Sequence, residues 1–126
     1  MPIDFLLISR PENTAWPLIL SQALASLGTL KVVAESDAVR RIAQYQCKAV
    51  VIIDAAAIED VPALIARLRR QCPKTLIVVA TASPTWQRAR DAFQAGAVDY
   101  IRRSCDSKEL LNTMKEILNV SLSQEE

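Results

Sequence analysis

The sequence predicts a doubly wound α/β sandwich, a five-stranded parallel sheet with five helices, and three observations predict it. Five short apolar runs are spaced along the 126 residues: Ile3 to Ser9, Leu30 to Ala34, Ala49 to Ile53, Leu76 to Ala80 and Val98 to Arg102. Most are continuously apolar rather than alternating, which is the composition of parallel strands covered on both faces. Between them the apolar spacing changes to that of a helix, and strand–helix units repeated in this way wind into one parallel sheet through right-handed crossovers.

Each helical segment carries its own signals. Trp16, Leu20, Ala23, Leu24 and Leu27 form the first stripe, with Gly28 placed to cap its C-terminus. Val39, Ile42 and Ala43 form a shorter one behind Ser36 or Asp37, either of which can cap. Leu64, Ile65 and Leu68 follow Asp60 and Pro62, a favourable helix start. Trp86, Ala89, Ala92 and Phe93 follow Ser83 and Pro84, and Gly96 ends that helix. The last helix opens with a capping box from Asp106 to Glu109 and buries Leu110, Leu111, Met114, Ile117 and Leu118.

Composition narrows the function. Lys+Arg 15 against Asp+Glu 14 leaves a formal charge of +1, so bulk charge attracts neither nucleic acid nor anionic lipid. The cationic clusters (Arg67, Arg69 and Arg70; Arg102 and Arg103) lack interleaved aromatics and read as solvated faces. No direct nucleic-acid contact and no membrane association are therefore expected. The chain has no histidine, which excludes Ser-His-Asp and Cys-His catalysis and His-containing metal sites. With both glycines assigned to helix caps, no glycine-rich phosphate loop remains, which argues against a dinucleotide or P-loop enzyme. Cys47, Cys72 and Cys105 are far apart and odd in number, which points to reduced thiols in a cytoplasmic protein.

In sheets of this type, chemistry gathers at the carboxyl ends of the strands. The residues there are Ser9, Arg10 and Glu12, then Asp54, Thr81 and Ser83, and finally Arg103 and Ser104. They are expected around one shallow pocket with one well-placed acid. Asp54 then has two readings. It is a reactive carboxylate, or it is a structural one satisfied by Arg10 or Arg103 and nearby backbone N–H groups. Thr81 is as readily a strand-end hydroxyl bonding backbone as a switch, and Tyr100 reads equally as a half-buried strand tyrosine. Trp16 and Trp86 read as core or rim packing, with Trp86 alternatively available to a partner.

The layout resembles the receiver domain of two-component response regulators, the flavodoxin-like (CheY-like) fold, across essentially the whole chain. The stretch "AFQAGAVDYIRRSCDSKEL", residues 92 to 110, is similar to the family's AxxAGAxDYLxKPfdxxeL segment. "VVIIDAAA" is similar to its third strand, and "VVATAS" to its fourth. The resemblance implies that Asp54 holds the phosphoacceptor position, Thr81 and Tyr100 the switch positions, and Arg103 the position of the family's lysine. Ser9 and Arg10 of "LLISRPE" stand where the family's acidic Mg²⁺-binding pair stands, Ser104 replaces its proline, and "DAAAIED" lacks the Pro-Gly features of the loop after the phosphoacceptor.

Mg²⁺ needs an octahedral shell of hard oxygens, usually anchored by one or two carboxylates, so a serine and a cation in place of the acids imply no Mg²⁺ cofactor. Glu12 is the one substitute ligand within sequence reach. If Arg10 is the obstacle, Arg10→Asp alone raises Mg²⁺ affinity.

Three functions follow. The resemblance implies a non-enzymatic signalling and protein-interaction module, a pseudo-receiver not controlled by Mg²⁺-dependent phosphorylation. Residues 1–120 form the receiver-like domain and 121–126 a polar tail or the start of a linker. Its partner is another protein, an output domain or a second copy, engaged through the fourth helix, fifth strand and fifth helix, where Arg88, Asp91, Arg102 and Lys108 are expected. The alternative is a working receiver phosphorylated on Asp54 by a histidine kinase. The third is an anion-binding domain or enzyme that uses Arg10 and Arg103 on the same scaffold.

Overall fold

The computed structural model describes the backbone of residues 2–125 and the side chains through Asn119. The elements run β1 (Ile3–Ile8), α1 (Ala15–Ala23), β2 (Gly28–Val33), α2 (Ala38–Gln44), β3 (Val50–Asp54), α3 (Val61–Gln71), β4 (Ile77–Thr81), α4 (Trp86–Ala95), β5 (Asp99–Arg102) and α5 (Ser107–Glu125). The five strands form one sheet in the order β2-β1-β3-β4-β5, and every neighbouring pair is parallel. This is the doubly wound arrangement that the apolar runs predict.

Strand alternation divides the core in two. Leu6, Ile8, Val51, Ile53, Ile77 and Val79 pack with α2, α3 and α4 on one face. Phe5, Leu7, Val50, Ile52 and Ala80 pack with α1 and α5 on the other. β3 and β4 are buried along their whole length, as continuous apolar runs require. β2 is one of the two edge strands and leaves Lys31 and Val32 exposed. Among the described residues, no helix is long and apolar enough to cross a membrane.

Several local expectations change. Gly28 is the first residue of β2, not a cap, and α1 is closed by Leu24. A Cβ at Gly28 would run into the Ile3 carbonyl on the paired strand, so close backbone approach, not left-handed geometry, selects glycine there. Gly96 does cap α4, at φ +124°. The N-cap of α4 is Thr85, whose side chain accepts from the Arg88 N–H, and the expected Ser83 lies outside the helix. Asp37 precedes α2 without capping it and instead pairs with Arg40. Asp106 accepts the Lys108 and Glu109 amides, but Glu109 receives the Ser104 hydroxyl rather than closing the box. Trp86 and Phe93, placed on the buried stripe by spacing, are 75 % and 47 % exposed. α4 buries only Ala92, because small residues are all it presents to the sheet.

Two further corrections concern tertiary links. Cys47 and Cys72, 25 residues apart, form a disulfide with Cα atoms 5.4 Å apart, whereas only Cys105 is a free, exposed thiol. Spacing along the chain hides this pairing, because the α2–β3 and α3–β4 loops meet at the start of two adjacent strands. Closing a loop of that length removes unfolded-state entropy worth about 3 kcal/mol. The cysteine argument for a cytoplasmic setting loses its support with this bond.

Arg69, counted among solvated cations, instead turns inward and donates to the Gly96, Pro73 and Thr75 carbonyls. Desolvation by burial lowers its pKa, but a guanidinium stays protonated throughout the working range. A Cβ on Gly96 would sit 2.7 Å from the Arg69 Nε atom. Gly96→Ala is therefore expected to cost more than about 1 kcal/mol, through left-handed strain and a displaced guanidinium. Urea denaturation checks this as a lower midpoint at unchanged slope.

Candidate functional site

The carboxyl ends of the three central strands and β5 hold the sequence-predicted residues, and strand parity sorts them before any side chain is placed. Asp54 continues the Val50–Ile52 side of β3, toward α1 and α5. Ser9 continues the Phe5–Leu7 side of β1, and Arg103 continues the Ile101 side of β5. Thr81 and Tyr100 fall on the opposite face, with Ile77 and Val79. The six positions therefore separate into a carboxylate cluster and a Thr81–Tyr100 pair on the other face, with Arg10 outside both.

Asp54 is completely buried, and protein donors take both of its oxygens. The Ser9 hydroxyl, itself buried, donates to Oδ2 at 2.9 Å. Arg103 Nη1 reaches Oδ1 at 3.3 Å. The serine bond has ordinary length and the arginine contact is long for a charge-assisted bond, so Ser9 fixes the carboxylate while Arg103 supplies the counter-charge. The Arg103 amide donates to the Thr81 carbonyl at 2.8 Å, which prolongs the β4–β5 ladder and aims the side chain across the strand ends.

Trp16, read from sequence as packing, is part of the same cluster. The Arg103 guanidinium lies 4.9 Å from the centre of its ring. The indole N–H donates to the Ser104 carbonyl at 2.9 Å. The tryptophan thus covers Arg103 from the α1 side and ties down the loop that follows β5. Cation–π contact of a partly desolvated arginine contributes about 1 kcal/mol. The available sequence signal was an aromatic in the first turn of α1, level with the strand ends.

Arg10 does not serve as the partner. It is exposed, its carbonyl accepts the Asn13 amide in a turn, and among the described residues it makes no ion pair with Asp54. Glu12 is exposed as well. The reason is geometric: β1 ends at Ile8, and the chain turns away from the sheet at Pro11. Arg10→Asp alone therefore leaves the Asp54 contacts in place and is not expected to raise Mg²⁺ affinity. The residues present do not fit a hexacoordinate divalent ion: the one carboxylate has both oxygens engaged and a cation beside it. Among the described residues no group of three or more metal-ligating side chains occurs.

A cleft of about 290 Å³ lies between the β3–α3 loop and α4, and it does not gather the residues expected to share one pocket. Thr81, Tyr100, Arg88, Asp91, Glu59 and Asp60 are among its lining residues, and Ser9, Asp54 and Arg103 are not. Arg88 and Asp91, expected on an outward interaction face, thus face this cleft. The Thr81 hydroxyl accepts the Ser83 amide at 3.2 Å, the local role a strand-end hydroxyl often takes.

No family model matches the sequence, and no curated protein matches it. Solved structures do share its shape. A response regulator from Thermotoga maritima is 24 % identical, with a TM-score of 0.78 over 94 % of this chain and 99 % of that one. The signal receiver domain of a LuxO repressor protein from Vibrio parahaemolyticus is 17 % identical, with a TM-score of 0.80 over 99 % and 96 %. An atypical orphan response regulator, described as having a phosphorylation-independent regulatory mechanism, is 18 % identical with a TM-score of 0.75 over 93 % and 96 %. The chain has the fold of CheY-like response-regulator receiver domains.

Arg103→Met is expected to destabilise the domain by about 3 kcal/mol, the low end for a buried pair because Arg103 is partly exposed, since it strips the counter-charge from a buried carboxylate. Arg103→Met combined with Asp54→Asn is expected to recover most of that loss. A double-mutant cycle by urea denaturation checks the coupling, and additive losses would mean that the two side chains do not interact.

Proposed function

We propose that this chain is a signalling and protein-interaction module on a receiver scaffold, with no enzymatic activity of its own, whose state is not set by Mg²⁺-dependent phosphorylation. One observation carries the reading: Asp54, which the resemblance puts at the phosphoacceptor position, has both oxygens taken by Ser9 and Arg103. Phosphoryl transfer to a carboxylate requires a free oxygen lone pair in line with phosphorus, and positive charge placed on the phosphoryl oxygens. Here the cation is bonded to the nucleophile itself, which lowers its reactivity. Ser9 and Arg10 at the acidic-pair positions, and Arg103 at the lysine position, then belong to a site converted from metal binding to a permanent charge pair. The likeness to an orphan regulator described as phosphorylation-independent is consistent with this.

The partner face in this reading is α4–β5–α5. Trp86, Phe93 and Val98 are exposed there, the Arg90 guanidinium lies 5.2 Å from the Trp86 ring, and Arg102 and Lys108 are exposed beside them. Aromatic and arginine side chains in one patch are the usual anchors of protein interfaces. The occupant is an output domain or partner protein, or a second copy of the chain. Neither nucleic acid nor a membrane is assigned to this domain. Sedimentation over a concentration series separates the two occupants. Self-association that Trp86→Ser with Phe93→Ser removes identifies a homodimer, and a monomer at every concentration assigns the face to another protein.

A second reading has its own support. Thr81 and Tyr100 line one cleft beside α4, the arrangement a phosphorylation-driven receiver needs, so Asp54 would accept phosphate from a histidine kinase. An amide NMR titration with Mg²⁺ and then beryllofluoride decides between them. The first reading expects no shifts at Asp54, Thr81 and Tyr100, and shifts centred on those residues would overturn it. Ser9→Asp, Arg10→Asp and Arg103→Lys made together are expected to create Mg²⁺-dependent shifts that Arg10→Asp alone does not.

A further inference from the structure

The pole of the sheet opposite Asp54 holds a second connected set of residues. Cys47 lies before β3, Cys72 before β4 and Gly96 before β5, so three loops meet at the amino ends of adjacent strands. The Cys47–Cys72 disulfide joins the first two. The Thr75 hydroxyl donates to the Cys47 carbonyl at 3.0 Å, and Arg69 donates to the carbonyls of Pro73 and Thr75. The same guanidinium reaches across to the Gly96 carbonyl through Nε at 2.9 Å and through Nη2. Gly96 is the residue on which α4 ends, and the next amides, Ala97 and Val98, bond Ala92 and Ile77.

The backbone at the disulfide is unusual in a second, independent way. Gln46 and Cys47 are consecutive non-glycine residues at φ 57° and 61°, the left-handed region that L-residues enter at a cost. Such a conformation persists where the surroundings over-determine it. Here the surroundings are the bond to Cys72, the Thr75 hydroxyl and the turn bonds that the Cys47 and Gln46 amides donate to the Ile42 and Ala43 carbonyls. Releasing one of them frees the loop to leave that conformation and carries Thr75 with it.

We propose that the Cys47–Cys72 pair is a redox-sensitive lock on the C-terminal end of α4, acting through Thr75, Arg69 and Gly96. The reductant is a thiol of the glutathione or thioredoxin class. Its thiolate attacks the Cys47 sulfur, which belongs to the partly exposed residue of the pair, while Cys72 is wholly buried. The intramolecular S–S bond breaks and Cys72 leaves as a thiolate that takes a proton. A second thiol then resolves the mixed disulfide, so two thiols end as one disulfide and the pair gains two electrons and two protons. With the loops unlinked, the Thr75 carbonyl no longer holds Arg69 in register, and the Gly96 contact weakens. Arg69 is the positioning residue that transmits the change. The lock stands apart from the reading of Asp54 and does not depend on it.

The test uses the full chain with Cys105→Ser, which leaves only this pair of thiols. Alkylation followed by mass measurement, after equilibration in glutathione buffers from fully reduced to fully oxidised, reports whether the pair closes. Amide hydrogen exchange then compares the two states. Reduction is expected to speed exchange at Ala97 and Val98 by at least about fivefold, the lower end for coupled sites, together with the loops around Cys47 and Thr75. Cys47→Ser is expected to reproduce the reduced pattern without any reductant. In Arg69→Lys the response at Cys47 and Thr75 should persist while Ala97 and Val98 cease to depend on redox state. A pair that stays open in fully oxidised glutathione overturns the proposal. So does a wild-type response confined to the Cys47 and Thr75 loops, and so does an Ala97 response undiminished in Arg69→Lys.

Discussion

A carboxylate held at zero exposure among aliphatic strands is costly unless charge and hydrogen bonds around it are complete. Asp54 sets that requirement for the whole carboxyl end of the sheet. Its neighbours answer it from three directions: Ser9 from β1, Arg103 from beyond β5, and Trp16 from α1 over the guanidinium. Each donor comes from a different element, so the cluster also fastens β1, β3, the exit of β5 and the start of α1 together. Removing the charge from one member changes what the others are for.

The same arrangement gives the site its chemical character. A carboxylate is a nucleophile toward phosphorus when cations sit on the phosphoryl group and its own lone pairs are free. Moving the cation onto the carboxylate reverses those roles. The strand order is that of the CheY-like fold, while the carboxyl end of the sheet is filled by one ion pair and one hydroxyl. A scaffold and a reaction are separable, and a surface proposed to bind partners does not need the buried pole to be reactive.

Both poles of the sheet follow one design. At the carboxyl end, Arg103 bridges a buried acid and an aromatic; at the amino end, Arg69 bridges carbonyls from two loops. A planar guanidinium with five donors suits both tasks, and a lysine in either place would satisfy fewer partners. Composition alone could not distinguish these arginines from solvated ones. In sequence each is one member of a cationic cluster, and in the structure each is the cation that turns inward.

Much of the fold was legible in the sequence, because it is fixed by short-range patterns. Continuous β-branched runs can be buried only on both faces, helical stripes must lie against them, and Asp54 is left at the exit of the third run. That positions 9 and 10 carry no carboxylate is equally a matter of reading Ser9 and Arg10. The separation of Asp54 from Thr81 and Tyr100 was not legible in this way, since alternation is local to each strand and the register between strands comes from their pairing.

Other features were decided only by tertiary structure. Whether Arg10 or Arg103 meets Asp54 depends on where the chain leaves β1 and on a contact spanning 49 residues. The roles of Trp16, the Cys47–Cys72 bond and the exposed Trp86 depend in the same way on which loops and helices lie side by side. Local pattern specifies which residues must be buried. The choice of partner for a buried charge or a thiol is a matter of distance and direction between separate elements, and those exist only once the sheet has assembled.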